Sequence, residues 1–331
     1  MILFAVNDAG PAKYIAYILR KLDSSLYTCI ASNISSEVFD EFDINFIRDN
    51  QSIDLSLIKL IITGTCLGNG LDKDWVNIGK VNNIKTISII EHWSLYKKRF
   101  ELKGKYFFPD LILLNDEIAY REAGAEGIDN KLLKIMGNPV FENITSKNYL
   151  DEEKNIWKSD MSISVDQKIV TFISEEYKDD FPKESLEYQG FDEFEVLEDL
   201  INVLDENMFL FIKLHPAENK NKYNYLKKYT NVKVVDKTDV KKLIIFSDIF
   251  LGMGSMLLLE ASLLRANVFS YRPNEIVEFI GNKNNMTVYI QNKNELKNII
   301  QDKNLLKNKI TKNNFIGSTS KIIKFIKEYE K

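Results

Sequence analysis

Two cysteines, Cys29 and Cys66, and two histidines, His92 and His215, are all that 331 residues hold of the side chains best suited to thiol chemistry and transition-metal ligation. The cysteines form neither a CxxC pair nor a zinc-ligand spacing, which excludes a disulfide framework, argues against a zinc site and fits a reducing cytoplasm. With 14 glycines and 6 prolines there is no room for a long disordered linker. Long hydrophobic runs are missing too. The opening "MILFAVNDAG" turns acidic and glycine-bearing within ten residues, too soon for a signal segment or a bilayer span, and reads as a first strand. Basic residues are not in excess: 44 Lys and Arg against 48 Asp and Glu give a net charge of -4, which argues against a general nucleic-acid binder and leaves "YKKRF" at 96–100 as a local contact patch.

What is present is 45% apolar and 28% charged residue, the balance of a soluble globular chain, in a length that suits two domains. Strand-like runs alternate with helix-length segments from end to end, the pattern of parallel sheets covered on both faces. The first half offers "ILFAV" (2–6), "LYTCIAS" (26–32), "LIKLIITG" (57–64), "KTISII" (85–90), "DLILLN" (110–115) and "LLKIMG" (132–137). Pro11, with Ile15, Ile18, Leu19 and Leu22 at helical spacing, predicts a helix after the first strand. A polar, acidic stretch at 142–168 marks a domain boundary, giving a Rossmann-like acceptor-binding domain at 1–150. The alternation resumes with "KIVTFIS" (168–174), "FLFIKLHP" (209–216), "VKVVD" (232–236), "IFLGMG" (249–254) and "NVFSYRP" (267–273). Helices are predicted over 192–206, 240–247 and 256–264, so 160–317 forms a second Rossmann-like, nucleotide-sugar-binding domain. The apolar residues of 318–331 stand at helical spacing, and this last helix is expected to pack back on the first domain. The fold class is therefore α/β, two facing doubly wound domains with a ligand cleft at the carboxyl ends of their strands.

His215 and Pro216 end an apolar strand, where proline halts the ladder and aims the imidazole outward. Further on, a strand runs into Gly252, Gly254 and Ser255 and a helix begins at Met256. Such a turn offers backbone amides and a hydroxyl to an anion, with an ordinary Ser255 N-cap as the bland reading. Glu260, on that helix, is a candidate ligand for ribose hydroxyls or simply a solvated residue. Ser174, Glu175 and Glu176 follow the second domain's first strand and are placed at its cleft edge. In the first domain Asp8 follows the first strand, as base or helix N-cap, and Glu91 and His92 follow "KTISII" as alternative bases or acceptor ligands. Trp93 and Tyr96 stand nearby, as sugar-stacking rings or as core.

"KLHP" followed by "FSDIFLGMGSMLLLEASLLRANVFSYRP", with "ISIIEHWSLYKKRF" and "PDLILLNDEIAYREA" earlier, resembles GT-B glycosyltransferases, specifically the HP-motif bacterial sialyltransferase-like and polysaccharide-biosynthesis enzymes. The resemblance implies a nucleotide-sugar donor whose phosphates meet His215 and Ser255 and whose ribose meets Glu260. It further implies a CMP-linked nonulosonic acid as the donor sugar and a surface glycan or glycoconjugate as acceptor; with no DxD at a strand end, no protein-bound metal or other cofactor is expected, and the location is cytoplasmic, with the inner face of the membrane as an option. The chain departs from that pattern in having no "DDG" or "EDG" acid motif, which leaves the base among Asp8, Glu91 and His92. A UDP-sugar transferase is one alternative. A nucleotide-sugar 2-epimerase is another, with the scarcity of histidine weighing against it.

Overall fold

The computed structural model describes residues 1–48, 53–144, 151–215, 218–236, 238–265, 267–301 and 315–329. The chain divides into two compact units, Met1–Asn143 with Lys312–Lys331, and Ile144–Thr311.

The first unit holds strands β1 (Ile2–Val6), β2 (Tyr27–Ala31), β3 (Ile47–Arg48), β4 (Leu60–Thr63), β5 (Lys85–Ile90), β6 (Glu101–Leu102), β7 (Lys105–Tyr106), β8 (Leu111–Leu114) and β9 (Leu133–Ile135). Its helices are α1 (Ala9–Leu19), α2 (Asn33–Glu41), α3 (Leu71–Val81), α4 (Glu117–Ala125) and α5 (Pro139–Asn143). Seven strands form one sheet in the order β3-β2-β1-β4-β5-β8-β9, and β6 and β7 form a separate antiparallel hairpin. Every residue of β1 is buried, as expected of a parallel strand with helices on both faces. β1 pairs in parallel with both β2 and β4, so the strand order reverses there. Doubly wound sheets bind ligands beyond the carboxyl ends of strands at such a switch point, which here means the turns after Val6 and Thr63.

The second unit repeats the plan with β10 (Lys168–Ile173), β11 (Met208–Lys213), β12 (Val232–Val235), β13 (Ile249–Gly252), β14 (Val268–Tyr271) and β15 (Val288–Ile290). Around them lie α6 (Asp151–Asp160), α7 (Tyr177–Asp180), α8 (Glu193–Val203), α9 (Val240–Phe246), α10 (Met256–Leu264), α11 (Ile280–Lys283) and α12 (Lys293–Gln301). The strand order is β12-β11-β10-β13-β14-β15, all parallel, with its switch between β10 and β13. A two-layer core of residues such as Phe172, Phe191, Leu210 and Leu251 lies on one face of this sheet. The chain thus has the expected α/β class, two Rossmann-like parallel-sheet domains.

Some elements were not anticipated. The two- and three-residue strands β3, β6, β7 and β15 are too short to show a period. Helix α6 lies in the polar stretch read as a boundary, anchored by one ring: Trp157 packs on Phe211 and Phe246 with centroids 5.5 and 5.3 Å away.

The C-terminal helix, Ser318–Tyr329, belongs to the first unit and contacts α1 and α5. Its free N-terminal amides are satisfied from outside: the Glu142 carboxylate accepts from Gly317 N at 2.9 Å, Thr319 N at 2.7 Å and Thr319 Oγ1 at 2.5 Å. Gly137, at φ +89°, admits the Ser318 side chain where any Cβ would collide. Glu142→Ala removes this borrowed cap and is expected to cost about 1–2 kcal/mol in urea unfolding; a variant as stable as the parent would show that the helix needs no such anchor.

Candidate functional site

At the switch point of the first unit the chain gathers carboxylates. Asp8 occupies the N-cap position of α1 without making a side-chain cap bond, so the bland reading of this residue does not hold. Its Oδ1 instead accepts from Asn7 Nδ2 at 2.7 Å. Asp72, in the first turn of α3, is 2% exposed; its Oδ1 accepts from Asn7 N at 3.0 Å, and its Oδ2 is buried without a hydrogen-bond partner. Glu91 leaves β5 and lays its carboxyl against the first turn of α1, where a Cβ on Gly10 would fall 2.8 Å from Oε1. Glu91 Oε2 is likewise buried and unpartnered.

Such groups cannot all ionise at low cost. Burial, followed by the charge of Asp8, pushes the Asp72 carboxyl up to about 7. Burial also raises Glu91 to about 7, opposed by the Arg99 cation and reinforced by Asp8. Carboxyls that trade protons near neutrality suit general acid-base chemistry. A cavity of about 10 Å³, room for a single water, is lined by Thr65, Asp72, Lys73, Ser88 and Arg99 among others. Asp72 therefore lies behind the surface, whereas Asp8 and Glu91 are half-buried.

His92 follows Glu91 and pairs through Nδ1 with Ser94 Oγ at 2.9 Å. Burial and then the Arg99 charge push its imidazole down to about 3, so it is neutral at physiological pH. Trp93 and Tyr96 belong to the core: Trp93 stacks on Phe141 and donates Nε1 to Asp116 at 2.7 Å, and Tyr96 donates its hydroxyl to Glu122 at 3.2 Å.

The second unit builds a different site at its own switch point. Glu175, just after β10, accepts from Gly254 N with Oε2 at 2.9 Å. The turn expected to hold a phosphate thus receives the protein's own carboxylate, which burial raises to about 7 against the Gly254 amide and the Arg272 charge. Gly254 permits this approach, since a Cβ there would meet the Tyr177 hydroxyl and lie 3.0 Å from Arg272 Nη1. Arg272, 2% exposed at the end of β14, donates to Tyr177 Oη at 2.9 Å and to Val277 O at 2.7 Å, and pairs with Glu275.

Ser255 is the N-cap of α10, its Oγ accepting from Leu257 N at 3.2 Å. Gly252 is the buried last residue of β13, paired with Ile173 and Ser270. Met256 and Glu260, on α10, are half-buried, as is Glu176 after β10. Ser174 is fully buried, with its hydroxyl engaged by Glu218 at 2.6 Å and Tyr223 at 2.7 Å, so it holds structure together instead of lining a cleft. Glu218, also salt-bridged to Lys222 at 2.5 Å, accepts from His215 N at 2.6 Å. One buried carboxylate thereby ties the ends of β10 and β11 together and leaves the His215 residue exposed. Pro216 lies outside the described residues.

Three members of these sites escaped the sequence reading. Asp72 looked like ordinary acidic decoration of a helix N-terminus, although the glycines at 64, 68 and 70 after a strand marked an unusual turn. Arg99 was absorbed into the basic run "YKKRF", and Arg272 ends a strand before proline just as His215 does.

No protein-family model matches the chain, and no curated protein matches it. Solved structures do. UDP-GlcNAc 2-epimerase from Methanocaldococcus jannaschii, solved with UDP-GlcNAc and UDP, is 13% identical with a TM-score of 0.66 over 99% of each chain. The Neisseria meningitidis UDP-GlcNAc 2-epimerase bound to UDP-GlcNAc is 14% identical, with a TM-score of 0.63 over 99% of this chain and 100% of that one. Anabaena Alr3699/HepE with UDP-glucose is 12% identical, with a TM-score of 0.62 over 100% of this chain and 98% of that one. The shared fold is GT-B-like. These neighbours overturn the expected CMP-sugar, sialyltransferase-like glycosyltransferase, because epimerases carry the same architecture end to end.

Asp72 binds its proton more tightly in the folded protein than in the unfolded chain. The stability this confers is present below the unfolded value near 3.8 and is lost as pH rises through about 7. Asp72→Asn, neutral throughout, is therefore expected to gain about 1–3 kcal/mol over the parent at pH 8 and little at pH 4, as read by chemical unfolding. Equal differences at both pH values would contradict a buried, proton-sharing carboxyl.

Proposed function

We propose that the protein is a nucleotide-sugar 2-epimerase-like enzyme acting on a UDP-linked sugar. The observation that carries this reading is the cluster of Asp8, Asp72 and Glu91, with two enclosed carboxyl oxygens that have no partner and two carboxyls held near 7. Inverting C2 requires its proton to leave as the C1–O bond to UDP breaks, giving a 1,2-unsaturated sugar and free UDP, and then a proton to arrive at C2 on the opposite face as UDP re-adds at C1, with no acceptor consumed. Carboxyls poised near neutrality can do both, because each is available in either state. Histidine is not required for this chemistry, so the chain's scarcity of it does not weigh against the reading. Asp8 and Glu91 are assigned the direct contacts with the sugar, and Asp72, enclosed behind them, shares their charge. The UDP ligands of the solved neighbours favour UDP as the carrier nucleotide.

The nucleotide phosphates are assigned to the start of α10, beside Ser255, where Glu175 now occupies the Gly254 amide. A phosphate arriving there meets less repulsion when Glu175 is protonated. UDP affinity is therefore expected to weaken as pH rises through about 7, and Glu175→Gln to remove that dependence, both measured by calorimetry. Affinity that follows the same pH course in the variant would place the phosphates elsewhere.

Incubation with UDP-GlcNAc in heavy water tests the reaction itself. Epimerisation is expected to yield a C2-epimer carrying deuterium at C2, followed by NMR, without any glycoside product. Glu91→Gln should lower kcat by about 10²–10⁴-fold in both directions. Where Glu91 serves as the acid, the parent's kcat should fall as pH rises through about 7; in the reverse direction, where it is the base, kcat should fall below about 7. An unchanged rate in Glu91→Gln would remove the carboxylate mechanism.

A further inference from the structure

The acidic cluster has a residue at its centre that is itself uncharged. Asn7 follows β1 and is half-buried. Its backbone N–H donates to Asp72 Oδ1 at 3.0 Å, and its side-chain amide donates to Asp8 Oδ1 at 2.7 Å. Its own carbonyl accepts from the Ser32 hydroxyl, which fixes the peptide from behind. The chain makes room for this arrangement at Gly70, where a Cβ would fall 2.8 Å from Asn7 Cγ and 3.1 Å from Nδ2.

We infer that Asn7 is a positioning residue for the acidic cluster: its N–H fixes Asp72, its side-chain amide fixes Asp8, and the spacing of these charges decides where the cluster keeps its proton. This rests on the acid-base reading given above. The Asp8 charge is the common neighbour that raises both Asp72 and Glu91. An amide that anchors the Asp8 carboxylate keeps that repulsion in place, whereas an unanchored Asp8, half-buried on the first turn of α1, can turn toward water and relieve it.

The other charged and titratable groups around the cluster are held elsewhere. From the hairpin side, Arg99 donates Nε to Ser94 O at 3.1 Å and lowers Glu91. On α3, Lys73 donates its amine to Leu67 O and Glu101 O. Tyr14 on α1 donates to Gly137 O at 2.9 Å, with burial and then Glu91 keeping its phenol neutral. Cys66, before α3, is held as a thiol by burial and by Asp72 and Asp8, at about 12. His92 stays neutral, pushed down to about 3.

Asn7→Ala separates the two bonds, because alanine keeps the N–H to Asp72 and loses only the amide to Asp8. Carbon-13 NMR of labelled Asp and Glu carboxyls reads each titration without reference to turnover. The midpoints of Asp72 and Glu91 are expected to fall by about 0.5–1 pH unit in Asn7→Ala, with the thermal midpoint little changed. In Asn7→Asp, which keeps the shape and adds charge, they are expected to rise. Midpoints within about 0.2 unit of the parent in Asn7→Ala would overturn the inference, as would a fall of the same size in both variants. If the titrations shift as expected while the parent turns over no UDP-sugar, Asn7 keeps its role and the epimerase reading fails alone.

Discussion

Like charges forced together away from water are the constraint on which the rest of this chain's chemistry depends. Asp8, Asp72 and Glu91 come from three different elements, yet the turns that carry them meet at the point where the strand order of the first sheet reverses. Burial around β1, β4 and β5 takes water from Asp72 almost entirely and from Asp8 and Glu91 in part. Burial keeps Asp72 and Glu91 protonated up to about 7, which limits the cost of that enclosure: Arg99 offsets part of the charge at Glu91, but the unpartnered oxygens of Asp72 and Glu91 remain. Glycine makes the crowding sterically feasible. Gly10 lets the Glu91 carboxyl rest on the first turn of α1, and Gly64 packs on Pro11 within 3.3 Å of Asp72 Oδ1 when a Cβ is imagined on it.

The second domain solves an analogous problem by the opposite means. There Glu175 meets the Gly254 amide in the turn before α10 and feels the charge of the buried Arg272, so its carboxylate has partners. Arg272 in turn is enclosed by Phe191, Phe279 and Tyr177, with ring centroids 5.0 to 5.9 Å from its guanidinium carbon. One fold, used twice, therefore places acids with unpartnered oxygens in one sheet and an acid with an amide partner in the other, and burial holds all three of Asp72, Glu91 and Glu175 near 7. The two environments differ because the turn after β4 is long and glycine-bearing, while the turn after β13 leads straight into α10.

Much of the architecture was legible in the residues. "ILFAV" and "KTISII" have the bounds of β1 and β5, and "MLLLEASLL" those of α10, because largely apolar runs of strand or helix length have few other places to go. Two-residue strands were not legible, since they have no period. In the site, Glu91, Asp8 and Glu175 were singled out because charged residues immediately after a strand leave the core at its carboxyl end. Asp72 and Arg99 were not, since each becomes part of the site only through a turn that folds it back. The functional reading failed for a related reason. A histidine at a strand end and a serine at a helix start also have structural uses, and here Ser255 caps α10 while Glu175 takes the Gly254 amide, so their order said little about the bond being made or broken.

The C-terminal helix carries a consequence for the birth of the protein. Its cap is Glu142, 177 residues upstream of Thr319, and its contacts are with α1 and α5, yet it is made after the whole of the second unit. The amino-terminal lobe must therefore wait, with an apolar flank uncovered, while the whole of the following lobe is synthesised. The later lobe, continuous in sequence, can close first, and a ribosome stalled before Ser318–Tyr329 would release a protein whose second lobe is finished and whose first is not.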